Sequence, residues 1–319
     1  MNISQHLFPF AAIVGQERMK TALLLHLVNP RLGGVLIYGE KGTAKSTAVR
    51  SLADLQPGLN VVNLPVSATE DRVVGTIDIE HAIRHGEKRF EPGLLAAAHG
   101  HLLYVDEINL LDDAIVDALL DAAAMGVNTV EREGISFSHP SEFILVGTMN
   151  PEEGELRPQL LDRFAFSVEV AGERDVEQRM EVVRRRLAFE GNPEAYRAMF
   201  ERERLALCDR IAEARKKLES MEPTEQLLRW AATAGIRLEV DGHRADITLM
   251  KAAMTLAAYL GRTEVLAEDM IEAALLVMPH RLRKRPFEEK ARDAELIRER
   301  LAELLPEGSD DARTSKLSV

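Results

Sequence analysis

Between Gly39 and Ser46 the chain reads GEKGTAKS, the spacing G-x-x-x-x-G-K-[ST] with Ala44 in place of the last glycine. A turn of this kind aims backbone N–H groups at phosphate oxygens, and the helix that follows adds partial positive charge at its N-terminus. In that frame Gly39, Glu40, Lys41, Gly42, Thr43, Ala44 and Thr47 form the cradle. Lys45 reaches the β- and γ-phosphates as a point charge, and the Ser46 hydroxyl holds Mg²⁺. Ala44 enters the helix on this reading, where Ala is favoured over Gly by about 1 kcal/mol. A second stretch, HLLYVDEIN from His101 to Asn109, ends an apolar strand in two carboxylates. Asp106 is suited to Mg²⁺, directly or through water, and Glu107 to orienting and deprotonating an attacking water. A third, ILVGTMNPEEGELRPQLLDRF from Ile144 to Phe164, places the neutral amide of Asn150 at a strand end. Further along, Arg163 follows a short helical segment. It is read either as presented outward into the nucleotide of an adjacent subunit or as paired with Asp162 or a neighbouring glutamate. The fourth stretch, GHRADITLMK, sets Arg244 at a helix start, where a cation is electrostatically disfavoured, so a role over the phosphates stands beside a structural one.

These groups need a scaffold that brings strand ends together. Val35–Tyr38, Asn60–Asn63, Leu102–Val105 and Phe143–Thr148 read as buried parallel strands. Helical spacing covers Gln16–Val28, Ser46–Leu55 and Leu110–Ala124, the last closed by Gly126. A hairpin is expected over Val127–Phe137, turning at Glu133-Gly134. The fold class is therefore α/β, a parallel sheet flanked by helices, followed by a small all-helical domain. Expected boundaries are 1–185 for the nucleotide-binding core, 186–222 for a charged helical connector, 223–286 for the helical lid, and 287–319 for a charged helix and a disordered tail. Arg184, Arg185 and Arg186 read as one solvated helix face.

Bulk properties narrow the classes. The 319 residues allow two cores, and 46% hydrophobic with 29% charged residues fits an ordinary globular protein. A net charge of −12 argues against nucleic acid as the main partner. No apolar run approaches the ~18 residues of a membrane span, and the N-terminus lacks a signal-peptide pattern, so a cytoplasmic location is expected. Cys208 stands alone, leaving no disulfide pair and no thiolate cage. His81 and His85 have the i, i+4 spacing of a ligand pair but no third ligand, and read as a wet helix face; His99 and His101 read as turn residues.

Together the four stretches resemble an AAA+ ATPase: a Walker A loop, a Walker B Asp-Glu, a sensor-1 Asn, an arginine finger and a sensor-2 Arg. More narrowly, FPFAAIVGQERMKTALLL, EDRVVGTIDIEHAI, FEPGLLAAAHGHLLYVDEINLL and GTMNPEEGELRPQLLDRFAFSVEV resemble the magnesium-chelatase I subunits, in a compact form with a shorter segment between Leu55 and Ser67. The resemblance implies ATP and Mg²⁺ as cofactors and places Val14, Gly15 and Gln16 beside the adenine. It further implies that Arg163 acts in trans, that Arg244 serves as sensor 2, and that Glu91–Leu95 lies in an extra hairpin element. It also implies a homo-oligomeric ring, typically a hexamer, a D-type subunit with an integrin-I-like domain, and a large porphyrin-binding H-type subunit. A MoxR-like remodelling ATPase working with an integrin-I-type partner remains the alternative, favoured by the shorter middle segment.

Overall fold

The computed structural model describes residues 7–78, 84, 89–132, 135–282 and 293–301. Its centre is a five-stranded parallel sheet in the order β2-β5-β8-β1-β9, built from β1 (Val35–Gly39), β2 (Val61–Leu64), β5 (Leu102–Val105), β8 (Ile144–Met149) and β9 (Phe166–Val170). Two antiparallel pairs stand outside it. β3 (Gly75–Ile77) faces β4 (Phe90–Pro92), with Thr76 opposite Glu91, and β6 (Val127–Arg132) faces β7 (Ile135–Pro140). Of the Glu91–Leu95 stretch expected in an extra hairpin element, Glu91 and Pro92 lie in the first pair, while Leu94 and Leu95 begin a short helix. In the second, the return strand runs three residues past the expected end at Phe137; its turn at Glu133-Gly134 lies outside the described residues, as do His81 and His85.

Side-chain alternation explains why the sheet is covered on both faces. Val35 and Ile37, Leu102 and Tyr104, and Ile144 and Val146 enter one core, where α1 (Glu17–Val28) packs. Leu36, Leu103, Val105 and Leu145 enter the other. That second core rests on α5 (Asp113–Met125), which follows the two short helices α3 (Glu70–Val74) and α4 (Leu94–Ala97). Asp112 caps α5, its Oδ1 accepting the Ala114 N–H at 2.9 Å, so this helix starts later than the expected Leu110, which lies in the preceding 3-10 turn. The helix of the phosphate loop, α2, is also shorter than expected, Lys45–Ser51, and runs into a 3-10 turn at Leu52–Asp54.

Beyond β9 the chain is helical: α6 (Pro158–Leu161) precedes that strand, and α7 (Val176–Gly191), α8 (Pro193–Met199) and α9 (Glu201–Glu219) follow it. The expected boundary at 185/186 falls inside α7, a single unbroken helix. Next come α10 (Glu225–Arg237), α11 (Arg244–Tyr259), α12 (Ala267–Val277) and α13 (Asp293–Leu301). Their buried faces belong to the same apolar cluster as α1, and Ile297 and Leu301 of α13 are fully buried within it. The lid is thus seated on the core by apolar contact, while charged side chains populate its outer surface. Among the described residues, no helix is long and apolar enough to cross a membrane.

Candidate functional site

The parallel sheet assembles the site. Because β5, β8 and β1 are adjacent and run the same way, their carboxyl ends bring Asp106-Glu107, Asn150 and the loop after Gly39 to one edge. Gly39 has φ +137°, and a Cβ there would lie 1.9 Å from the Val170 carbonyl oxygen of β9, so only glycine lets the chain leave the sheet at this point. Ala44 differs from expectation. It does not begin the helix but precedes it as N-cap, in the left-handed region at φ +61°. An L-residue is strained there, so the replaced glycine costs stability at this position. Gln16 and Glu107 also adopt positive φ, 56° and 55°. Three of the four non-glycine residues with positive φ among the described residues therefore belong to this site, the fourth being Glu239.

Lys45 is turned back onto its own loop, Nζ donating to the carbonyls of Gly39 (2.6 Å) and Glu40 (2.9 Å). Burial lowers its pKa, opposed by the negative charge of Asp106. Lys41 pairs with Glu153 at 2.5 Å, which raises its pKa. A buried chain of hydroxyls joins the phosphate loop to Asp106: Tyr104 donates to Ser46 Oγ (2.9 Å), and Thr148 donates to Asp106 Oδ1 (2.5 Å). Burial pushes the Tyr104 phenol up to about 12. Asn150, 6% exposed, accepts the Glu152 N–H on Oδ1 at 3.3 Å, while its buried Nδ2 has no partner among the described residues. The Glu107 carboxylate is half-buried, and its backbone N–H approaches Thr148 Oγ1 at 3.4 Å.

Beside the loop lies a cavity of about 460 Å³, lined by Phe8, Ile13, Val14, Gly42–Thr47 and, from α7, Val182, Arg185 and Arg186. Apolar walls next to a phosphate cradle suit a purine ring. Of the three residues expected beside the base, Val14 alone lines this cavity; Gln16 turns instead to the Ala171 carbonyl (2.7 Å) and Glu173 (3.1 Å), its Nε2 donating to both. The arginine run is therefore divided. Arg184 is solvated as expected, but Arg185 and Arg186 line the cavity, and Arg185 also donates to the Ala12 carbonyl at 3.1 Å. Helical periodicity sorts such residues by angle, and only the packed position of α7 shows which angle faces the cavity.

Arg163 is not presented outward in this protomer. Its guanidinium, 19% exposed, pairs with Asp117 and Asp121 on α5. The expected alternative partner, Asp162, is taken by two lid arginines instead: Arg244 at 3.3 Å and the buried Arg281 at 3.2 Å. Arg281 also donates to the Asp162 backbone carbonyl (2.9 Å), and burial pulls its pKa down to about 10. Arg244 is, as expected, the first residue of a lid helix. Single-sequence reading passed over Tyr104, Thr148, Asp117 and Asp121. The two aspartates carried a usable signal, since Asp113, Asp117 and Asp121 recur at four-residue spacing on one helix face, and Asp113 pairs with Arg157 at 2.5 Å.

Comparison with known proteins agrees with this geometry. Residues 34–164 match the AAA domain of the dynein-related subfamily, and residues 230–300 match the AAA lid domain. A magnesium-chelatase subunit ChlI homolog from Methanocaldococcus jannaschii is 49% identical, over 98% of this chain and 95% of its own length. The chloroplastic magnesium-chelatase subunit ChlI of Chlamydomonas reinhardtii is 47% identical, over 92% of this chain and 79% of its own. Among solved structures, a chain of the complex between subunits BchI and BchD of magnesium chelatase is 43% identical with a TM-score of 0.52, covering 94% of this chain and 100% of that one. A putative ATPase from Cytophaga hutchinsonii, 21% identical with a TM-score of 0.67 over 92% of this chain and 90% of its own, shares the fold. With a phosphate loop, paired acids and a strand-end asparagine on one sheet edge and a helical lid seated behind them, the chain belongs to the magnesium-chelatase I-subunit family of AAA+ ATPases.

Proposed function

We propose that this chain is the ATP-hydrolysing ring subunit of a magnesium-chelatase-type complex, working with a D-type partner and a large porphyrin-binding subunit to drive metal insertion into a tetrapyrrole. The observation that carries the hydrolytic part is the set of unspent groups on one sheet edge: the Glu107 carboxylate, the partnerless Nδ2 of Asn150, and a Lys45 held only by loop carbonyls. The partner assignment rests on the relatives, whose names include chelatase I subunits and a BchI–BchD complex.

Ser46 and Asp106 fit a divalent cation. Both are hard oxygen donors, one a hydroxyl and one a carboxylate. That suits an ion which keeps several waters and shares phosphate oxygens with its nucleotide. When bound there, Mg²⁺ would neutralise charge on the phosphate oxygens. Lys45 leaves its carbonyls for those same oxygens, and Glu107 takes the proton of the attacking water. Asn150 Nδ2 orients that water or the γ-phosphate. Val14, with the α7 face, holds the base. In a ring, Arg163 completes the neighbour's site, and Arg244 exchanges Asp162 for the γ-phosphate as the lid moves.

The test is the Glu107→Gln variant, in which hydrolysis should fall by about 100-fold or more while ATP stays bound. Locked with Mg·ATP and used as bait in extract of its native cells, it should retain an integrin-I-like AAA+ subunit and a very large porphyrin-binding subunit. Recovery of the integrin-I-like protein with an unrelated client and no large subunit would overturn the chelatase assignment in favour of a MoxR-like remodelling motor.

A further inference from the structure

Two hydroxyls in this site are assigned no role by the nucleotide chemistry above. Tyr104 on β5 and Thr148 on β8 are each 1% exposed, and both aim their oxygens at the two side chains suited to the cation. A buried tyrosine needs one hydrogen-bond partner, and a backbone carbonyl would serve. Here the partner is Ser46 Oγ at 2.9 Å. Proton accounting fixes the directions. The Thr148 hydroxyl donates to Asp106 Oδ1 at 2.5 Å, and the lone pairs of Thr148 face the Glu107 N–H at 3.4 Å. Thr148 then has no proton for Tyr104, 3.3 Å away, and the phenol proton goes to Ser46. Each contact occupies one lone pair of a candidate ligand and leaves the rest available. Ser46 Oγ and one oxygen of the exposed Asp106 carboxylate are thus each held by a buried hydroxyl.

We propose that Tyr104 and Thr148 are positioning residues for the divalent cation, orienting Ser46 and Asp106 through their hydroxyl groups. This rests on the reading of Ser46 and Asp106 as the cation's protein ligands. Phenylalanine would fill the Tyr104 site equally well by volume, so packing does not account for the phenol. Carbon alone would likewise fill the Thr148 position on a central strand.

The experiment titrates MgCl₂ against binding of a fluorescent ADP analogue, without turnover, using the full-length protein. Tyr104→Phe should bind the analogue in EDTA within about twofold of the parent, while its Mg²⁺ midpoint rises about 10-fold. Thr148→Val should move the midpoint in the same direction, and carries the test if the Tyr104 variant does not fold. Placed in a Ser46→Ala background, Tyr104→Phe should cause no further shift, because its effect passes through Ser46. Unchanged midpoints in both single variants, additive shifts in the double variant, or equal weakening with and without Mg²⁺ would each overturn the proposal. A Ser46→Ala protein with the parent's midpoint would instead remove the ligand reading itself, and the proposal with it.

Discussion

The two charged edges of this molecule are finished to different degrees. Along the carboxyl edge of the sheet, groups are left with capacity to spare: Asn150 Nδ2 has no partner among the described residues, Lys45 rests on carbonyls, and Ala44, Gln16 and Glu107 hold strained backbone. Along the α5–α6 edge the charges are matched. Arg157 meets Asp113, Arg163 meets Asp117 and Asp121, and Asp162 meets Arg244 and Arg281. An open edge waits for a ligand, since its groups gain most when phosphate arrives. A matched edge must first give something up before it can serve a neighbour. On the proposed reading binding and hydrolysis are separable: one protomer would hold a nucleotide by itself, while Arg163 would have to exchange two carboxylates for a phosphate.

That contrast is sharpest at Arg163. Arg163→Ala should lower turnover by about 10³-fold or more and leave nucleotide affinity unchanged, read by steady-state hydrolysis beside equilibrium binding. Mixing it with a Lys45→Ala protomer, which retains its own Arg163, should restore part of the activity; failure with assembly intact would reduce Arg163 to a structural ion pair. On the open edge the order reverses. Lys45→Ala should weaken nucleotide binding about 100-fold, as expected for losing charge-assisted contacts to phosphate, before turnover is considered.

Acid should weaken the fold beneath both edges, because two imidazoles are buried and neutral: one at the amino end of the sheet, the other beside Phe164. His26 lies against Phe166 beneath the sheet, its pKa lowered by burial to about 4, and His280 meets the Phe164 carbonyl at 3.1 Å, its pKa also lowered by burial. The unfolded chain takes up these protons near the ordinary histidine value, and the folded chain resists them to lower pH. Stability is therefore full above about pH 6.5 and falls as pH drops toward 4, by about 1.4 kcal/mol per unit for His26. Denaturant melts at pH 7, 6 and 5 measure this, and a flat profile would mean that the imidazoles are protonated in the fold. The smallest expected effect is at Ala44, where Ala44→Gly should raise stability by about 1 kcal/mol by removing a left-handed L-residue. A loss of stability there would place the strain elsewhere.

Legibility followed locality. The phosphate loop, the strand ending in Asp106-Glu107, the α5 stop at Gly126 and the first position of Arg244 in its helix all depend on residues within a few positions of one another. Ala44 was misjudged because the residue before a helix and the first residue within it differ by one position but by the sign of φ. Arg185 was misjudged because its carbonyl partner, Ala12, lies 173 residues away. Tyr104 read as core filling because a strand pattern records burial but not the destination of a hydroxyl.

By itself the sequence determined the family and the fold class, an α/β core ahead of helices, and named the candidate groups: a loop of phosphate-binding spacing, two acids at a strand end, an amide and two arginines. Those follow from local conformational preference and from side-chain chemistry that travels with the residue. Tertiary structure alone decided the strand order that sets three loops side by side, the α7 face that lines the cavity beside the phosphate loop, and the aspartates that hold Arg163. These are pairings across long chain separations, selected by which buried surfaces and charges satisfy one another once the sheet and lid have closed.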